Sequence, residues 1–221
     1  MIRRDYILRM IEEFMQALSR LRALKQGQRW AEATDELDAE FKKLIGDDAA
    51  AVARLSETDL LARLMQEGPT HLLREKTLML TRLLTEAGDA AIAEDRAEEG
   101  HQCYLKALHL LLDVLARDEV FECPEFVPKV EMLVAALQST PLPVRTRAML
   151  MQHYERTGEF AKAEDALFAM LDAEPDNHAI VAFGITFYQR LLAQSDTTLN
   201  TAGLPRAEVE DGLKQLRERQ K

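Results

Sequence analysis

The stretch RAMLMQHYERTGEFAKAEDALFAMLDAEP, residues 147–175, decides the fold. Leu150 and Tyr154 lie one helical turn apart, and Ala163, Leu167 and Met170 resume that spacing beyond Gly158. Apolar residues at intervals of three and four form one stripe of an amphipathic helix. Two such stripes separated by a glycine read as an antiparallel pair, because glycine enters the left-handed conformation of a tight turn at little cost. Ala163 is small enough for the second helix to close on the first. Leu167 and Met170 then fill the space beneath Tyr154, and Pro175 ends this helix and starts the next.

Together Leu150, Tyr154, Gly158, Phe160, Ala163, Leu167, Met170 and Pro175 fall at the spacing of a tetratricopeptide repeat. Tyr188 follows Tyr154 by 34 residues, so a further first helix is expected through Val181 and Ile185. Upstream, Gly100, Tyr104 and Ala107 match the second half of such a repeat. The expected fold is all-α: stacked antiparallel helical hairpins forming a tetratricopeptide-like right-handed solenoid. Plain hairpins without solenoid stacking are the alternative that the same residues allow. Tyr154 and Tyr188 are expected at equivalent places on two parallel helices, each covered by the helix that follows.

Composition points the same way. Among the 221 residues, 34 Leu and 30 Ala outnumber 9 Val and 7 Ile, the balance of a helical chain, since β-branched residues lose more rotamer freedom in a helix. No Val/Ile-rich run suits a buried strand, which excludes a mostly-β fold and argues against a doubly wound α/β one. Twenty-eight bases against 38 acids give a net charge of −10. That disfavours nucleic acid, whose affinity comes from cations meeting phosphates, and equally anionic lipid. No run of 18 apolar residues predicts a transmembrane span, and Arg9, Glu12 and Glu13 interrupt any signal-peptide core. A cytoplasmic chain starting at Met1 is expected, with Cys103 and Cys123 as reduced thiols.

Ile7, Met10, Ile11, Phe14, Leu18, Leu21 and Leu24 mark a long first helix, with Gly27 as its stop. Ile7, Ile11, Phe14, Leu18 and Leu21 are expected to be buried. Trp30 to Ile45 forms a second helix, and Gly46-Asp47-Asp48 turns into a short Ala-rich one. Ser56 with Asp59 resembles a shortened capping box. Gly68-Pro69-Thr70 marks the expected boundary between an N-terminal helical subdomain, residues 1–67, packed on the repeats, and a repeat region, residues 68–221, with a C-terminal capping helix. The first 29 residues carry seven bases and three acids, a net +4. A basic amphipathic helix suits a membrane or a partner groove, although residues 31–60, with nine acids and three bases, offer an internal neighbour.

The opening Asp5-Tyr6-Ile7-Leu8-Arg9-Met10-Ile11-Glu12, the repeat-like pairs and the close Leu204-Pro205-Arg206-Ala207-Glu208-Val209-Glu210-Asp211-Gly212-Leu213 resemble an uncharacterised bacterial family of small all-helical proteins with tetratricopeptide-like repeats. The resemblance covers essentially the whole chain. It implies a fold and no activity, so it transfers no functional residue.

A search for chemistry is negative. Glu98 and His101 form one Glu-x-x-His, yet His71, His109, His153 and His178 have Gly68, Lys106, Leu150 and Pro175 at the same spacing. The second copy that a di-metal bundle needs is missing. Cys103 and His101, two apart on a helix, do not face each other. No phosphate-cradling loop, nucleophile elbow or Cys-x-x-Cys occurs. No catalytic residue, metal or cofactor is expected, and the chain is not expected to be an enzyme.

The leading expectation is a non-enzymatic protein- or peptide-binding scaffold, because stacked repeats generate extended concave surfaces. A self-associating module forming a homodimer through exposed helix faces is the alternative, and an enzyme with an unrecognised site ranks third. In such repeats the first helix of each pair lines the concave face, which assigns Arg145, Ala148, Gln152, Glu155 and Arg156, then Ala179, Ala182, Thr186, Gln189 and Arg190. Of these, Arg145, Gln152, Arg156, Gln189 and Arg190 are the expected peptide-binding residues. Arginine's planar fork suits carboxylates, so an acidic segment or a chain terminus is the expected ligand.

Overall fold

The Leu- and Ala-rich stripes become helices throughout the computed structural model, which describes residues 2–66, 72–117 and 123–220. No strand occurs among the described residues. The chain divides into two compact units, Met1–Pro141 and Leu142–Lys221. The Gly68-Pro69-Thr70 break lies outside the described residues, but the helices flanking it pack together inside the first unit. The separation into units therefore comes after Pro141, not at residue 68.

The first unit contains α1 (Ile2–Gln26), α2 (Trp30–Ile45), α3 (Ala49–Arg54), α4 (Glu57–Gln66), α5 (Leu73–Ala93), α6 (Ala97–Arg117) and α7 (Val130–Ala136). Its backbone is the α5–α6 pair, with α2 against α5, α1 against α2 and α7 against α6. The starts and stops are chemical. Gly46 ends α2 at φ +82°, and Asp48 caps α3 by accepting from Ala51 N at 2.8 Å. Ser56 and Asp59 form the expected box: Ser56 Oγ accepts from Asp59 N at 3.2 Å. Helix α1 ends at Gln26, immediately before Gly27, as expected. The left-handed residue of the turn is Gln28, at φ +56°, and Arg29 N closes the turn onto Leu24 O at 2.9 Å.

Burial of α1 is uneven. Phe14, Ala17 and Leu21 are buried, and Phe14 meets Phe126 edge-on with ring centres 5.3 Å apart. Ile7, Ile11 and Leu18, expected in the core, are only half-buried. Tyr6, Leu8 and Met15 are exposed by 57%, 49% and 40%. The cause is that α1 packs mainly on one neighbour, α2, which covers a narrower stripe than the sequence offers.

The second unit contains α8 (Val144–Thr157), α9 (Phe160–Ala173), α10 (His178–Leu192), α11 (Asp196–Thr201) and α12 (Arg206–Arg219). Gly158 makes the α8–α9 turn at φ +78°, and Glu159 N bonds Tyr154 O at 2.8 Å. Arg147, early in α8, donates to Ala169 O, late in α9. Tyr188, late in α10, donates to Glu164 Oε1, early in α9, at 2.5 Å. Both α8 and α10 therefore run antiparallel to α9. Tyr154 is buried, with the Lys162 ammonium of α9 at 5.3 Å from its ring centre. Tyr188 is also buried, but the helix over it is α12 instead of the one that follows. Gly212 lies against its ring, because α11 is a six-residue connector too short to cover α10.

Candidate functional site

Five residues were expected to bind a ligand, and the structure leaves all five exposed: Arg145, Gln152 and Arg156 on α8, Gln189 and Arg190 on α10. Two members of the expected concave rows meet directly. Arg190 Nε lies 2.6 Å from Glu155 Oε1, and its Nη2 lies 2.7 Å from Oε2. This is the bidentate geometry in which a guanidinium grips a carboxylate. The hydrogen bond with Glu155 raises the Arg190 pKa against a smaller desolvation effect. Arg190 is thus already engaged by an internal carboxylate. Arg145 makes no ion pair among the described residues.

The histidines and cysteines do not converge. His101 pairs with Thr140 Oγ1 at 3.0 Å, while Glu98 accepts from Gln102 at 3.0 Å, so the Glu-x-x-His pair does not form a site. His71 lies outside the described residues. Cys103 and Cys123 are free thiols, one buried and one exposed, and burial pushes both upward in pKa. No group of three His, Cys, Asp or Glu that could hold a metal occurs among the described residues.

A second feature lies in the first unit, where three helices converge on a cleft of about 190 Å³. From α1 come Arg9, Met10, Glu13 and Phe14, with Tyr6 at the end of the same stripe. α2 contributes Glu40, Lys43 and Leu44, and α5 contributes Lys76, Met79 and Leu83. Each set repeats at three or four residues, so each helix turns one face inward. Glu40 is the unusual member: it is 8% exposed and accepts no hydrogen bond among the described residues. Its nearest cation, Arg20 Nη2, is 3.9 Å away and sits closer to Glu36, at 2.6 Å. Burial raises the Glu40 carboxyl pKa above its ordinary 4.5. Beside it, Lys43 pairs with Glu13 at 3.3 Å, and Lys76 is buried with a partner of its own.

A model for a family of unknown function matches residues 1–221. The chain belongs to that family, DUF6483. No curated protein and no solved structure matches it. In this DUF6483 chain no helix among the described residues is long and apolar enough to cross a membrane.

Sequence reasoning missed the cleft although a signal was present. Glu40 occupies the stripe Ala33, Leu37, Glu40, Leu44 of α2. Lys76 likewise occupies the stripe Leu73, Lys76, Leu80, Leu83 of α5. A charge on an apolar stripe is buried at a cost and implies a partner.

Proposed function

We propose that this chain is a non-enzymatic scaffold that binds a protein or peptide segment across α8 and α10, its C-terminal helices stacked as tetratricopeptide-like repeats of a right-handed solenoid. The reading rests on the bidentate Glu155–Arg190 pair, which joins the last turns of α8 and α10 although the residues are 35 apart in sequence. That contact supports one shared face carrying Arg145, Gln152, Arg156 and Gln189. Stacked helical pairs build extended surfaces of this kind. Glu155 in the fork of Arg190 also illustrates the chemistry that the face would recognise, a carboxylate of an acidic segment or chain terminus.

The test is to pan a random peptide display library against the full chain and titrate the enriched peptides by calorimetry. Enriched sequences should carry Asp, Glu or a free C-terminus. Each should lose at least about tenfold in affinity, about 1.4 kcal/mol, in an Arg145→Ala, Arg156→Ala double variant with unchanged melting. Failure to enrich any peptide, or affinity indifferent to the two arginines, would overturn the reading.

One observation favours a second reading, self-association. Tyr6, Leu8 and Met15 of α1 are exposed apolar side chains, and such surface marks interaction sites when contiguous. Light scattering at micromolar concentration should then give a dimer mass that a Leu8→Glu variant abolishes. A monomer mass for the unaltered chain rejects it.

A further inference from the structure

We propose that the pocket between α1, α5 and the segment preceding α7 binds the phosphate group of a small phosphate ester, held by Arg82 and Arg22. The pocket lies in the first unit, and the proposal does not depend on the peptide-binding reading.

A half-filled fork on Arg82 points to an anion. Its Nη2 donates to Glu86 Oε1, but its Nε is shut off from solvent and has no hydrogen-bond partner among the described residues. Arg190 shows the filled arrangement, with Nε and Nη2 on the two oxygens of Glu155. Arg82 does not copy it, because Glu86 Oε2 is taken by Lys25 Nζ at 2.7 Å. An unmet donor on a charged group is costly away from water, and a negatively charged acceptor answers it best. The shared Glu86 also fixes where Arg82 lies. It sits beside the turn of α1 that carries Lys25 and, three residues earlier on that helix, Arg22. Arg22 lines the same pocket, is exposed, and makes no ion pair among the described residues.

The walls decide the rest. Arg22 comes from α1 and Arg82 from α5, so the acceptor needs oxygens that point in different directions. A phosphate group offers three strong acceptor oxygens arranged tetrahedrally, whereas the two oxygens of a carboxylate share one plane. Ser19 does not join the set, because its hydroxyl donates to Met15 O at 2.9 Å. The cavity of about 270 Å³ holds roughly nine waters at about 30 Å³ each, more than a bare phosphate fills. Met15, Leu18 and Phe126 give it apolar walls, and Phe126 is fixed edge-on against Phe14. A small apolar group on the ester therefore has a surface to rest on. Glu125, exposed on the third wall, makes no ion pair among the described residues. Its charge opposes the anion and limits the affinity.

The test is calorimetric titration of the full chain, in phosphate-free buffer, with phenyl phosphate, inorganic phosphate and benzoate. Phenyl phosphate should bind saturably. Inorganic phosphate, which lacks the apolar group, and benzoate, which lacks the phosphate, should each bind at least about threefold more weakly. Arg22→Gln should weaken phenyl phosphate binding at least about fivefold. Because Arg22 is exposed, its variant keeps the test decisive even if Arg82→Gln, which also frees Glu86, alters folding. Glu125→Gln should act in the opposite direction and tighten binding at least about twofold, a gain that no loss of structure imitates. Methyl-labelled methionine supplies a positional readout: Met15 should shift in NMR spectra on binding, while Met151 and Met170 of the second unit should not. No saturable binding of phenyl phosphate, inorganic phosphate or benzoate binding as tightly as the ester, affinity unchanged in Arg22→Gln or in Glu125→Gln, or an unmoved Met15 signal would overturn the proposal.

Discussion

Gly88→Ala should destabilise the first unit although alanine is the better helix former. Replacing glycine in a helix interior ordinarily gains about 1 kcal/mol. Here a Cβ on Gly88 would fall 2.6 Å from Cε1 and 2.8 Å from Cδ1 of Tyr104. The ring is buried, and its hydroxyl donates to Asp89 Oδ1 at 2.7 Å, while Asp89 Oδ2 holds Lys25 Nζ at 2.5 Å. The two helices are already in near contact here, since a Cβ on Gly100 would lie 3.1 Å from Gly88 O, so the added methyl must displace the ring or part α5 from α6. Overpacking a fixed ring costs about 1–3 kcal/mol, and this site belongs at the upper end. The net loss is therefore about 1–2 kcal/mol. Urea unfolding followed by fluorescence of Trp30, the single tryptophan and a residue of α2, measures it. Tyr104→Leu removes the ring, so adding Gly88→Ala in that background should cost nothing or stabilise by up to about 1 kcal/mol. A Gly88→Ala variant more stable than the unaltered chain would refute the close α5–α6 contact.

Three further outcomes follow from the first unit. Lys25 Nζ bridges Glu86 at 2.7 Å and Asp89 at 2.5 Å, so Lys25→Met should cost about 2 kcal/mol in urea unfolding, below the usual range for a fully buried pair because Asp89 is partly exposed. Leu21→Ala should cost about 2–4 kcal/mol, since Leu21 is buried, whereas Leu8→Ala should stay within about 0.5 kcal/mol, since Leu8 is exposed; equal effects would contradict the uneven burial of α1. Glu40 gives a signed pH dependence: its folded pKa is raised above the unfolded 4.5, so its contribution is full below that pH and is lost as pH rises through the folded value. The urea midpoint of Glu40→Gln, relative to the unaltered chain, should therefore climb as pH rises above 4.5; a flat or falling difference would show that Glu40 is not desolvated.

What the sequence discloses and what it conceals divide along physical lines. Local signals were legible: Gly158 at a left-handed turn, Asp48 and Ser56 as caps, and the stripes that became α2, α5, α6, α8, α9 and α10. Each is decided within a few residues. The turns at Gln28 and Asp95 were hidden because non-glycine residues hold positive φ there, a conformation that composition does not announce. The partner of Tyr188 was hidden for a different reason. A fixed repeat period assigns the cover to the next helix, whereas α11 is too short and the role passes to α12. The rows on α8 and α10 were legible as positions, but the Glu155–Arg190 clasp requires knowing that two helix ends are adjacent. The cleft around Glu40 needs three helices at once, so no single stripe could reveal it.

The basic opening segment shows how such neighbours change a sequence-level charge. Its net +4 allowed a face for membrane or partner or an internal acidic neighbour, and three of its bases, Arg20, Lys25 and Arg29, pair within the chain. Arg20 meets Glu36 at 2.6 Å, and Lys25 meets Glu86 and Asp89. Burial pulls the Lys25 ammonium down in pKa, but hydrogen bonds with Asp89 and Glu86 outweigh it, and the value rises overall. The exposed Arg20 pair contributes at most about 1 kcal/mol, so Lys25, Phe14, Ala17 and Leu21 hold the helix in place. All four lie in residues 14–25. The preceding turns, with Leu8 exposed and Arg9 unpaired among the described residues, have few such ties. The anchor of α1 is therefore its second half, where the buried apolar side chains and the Lys25 bridge coincide.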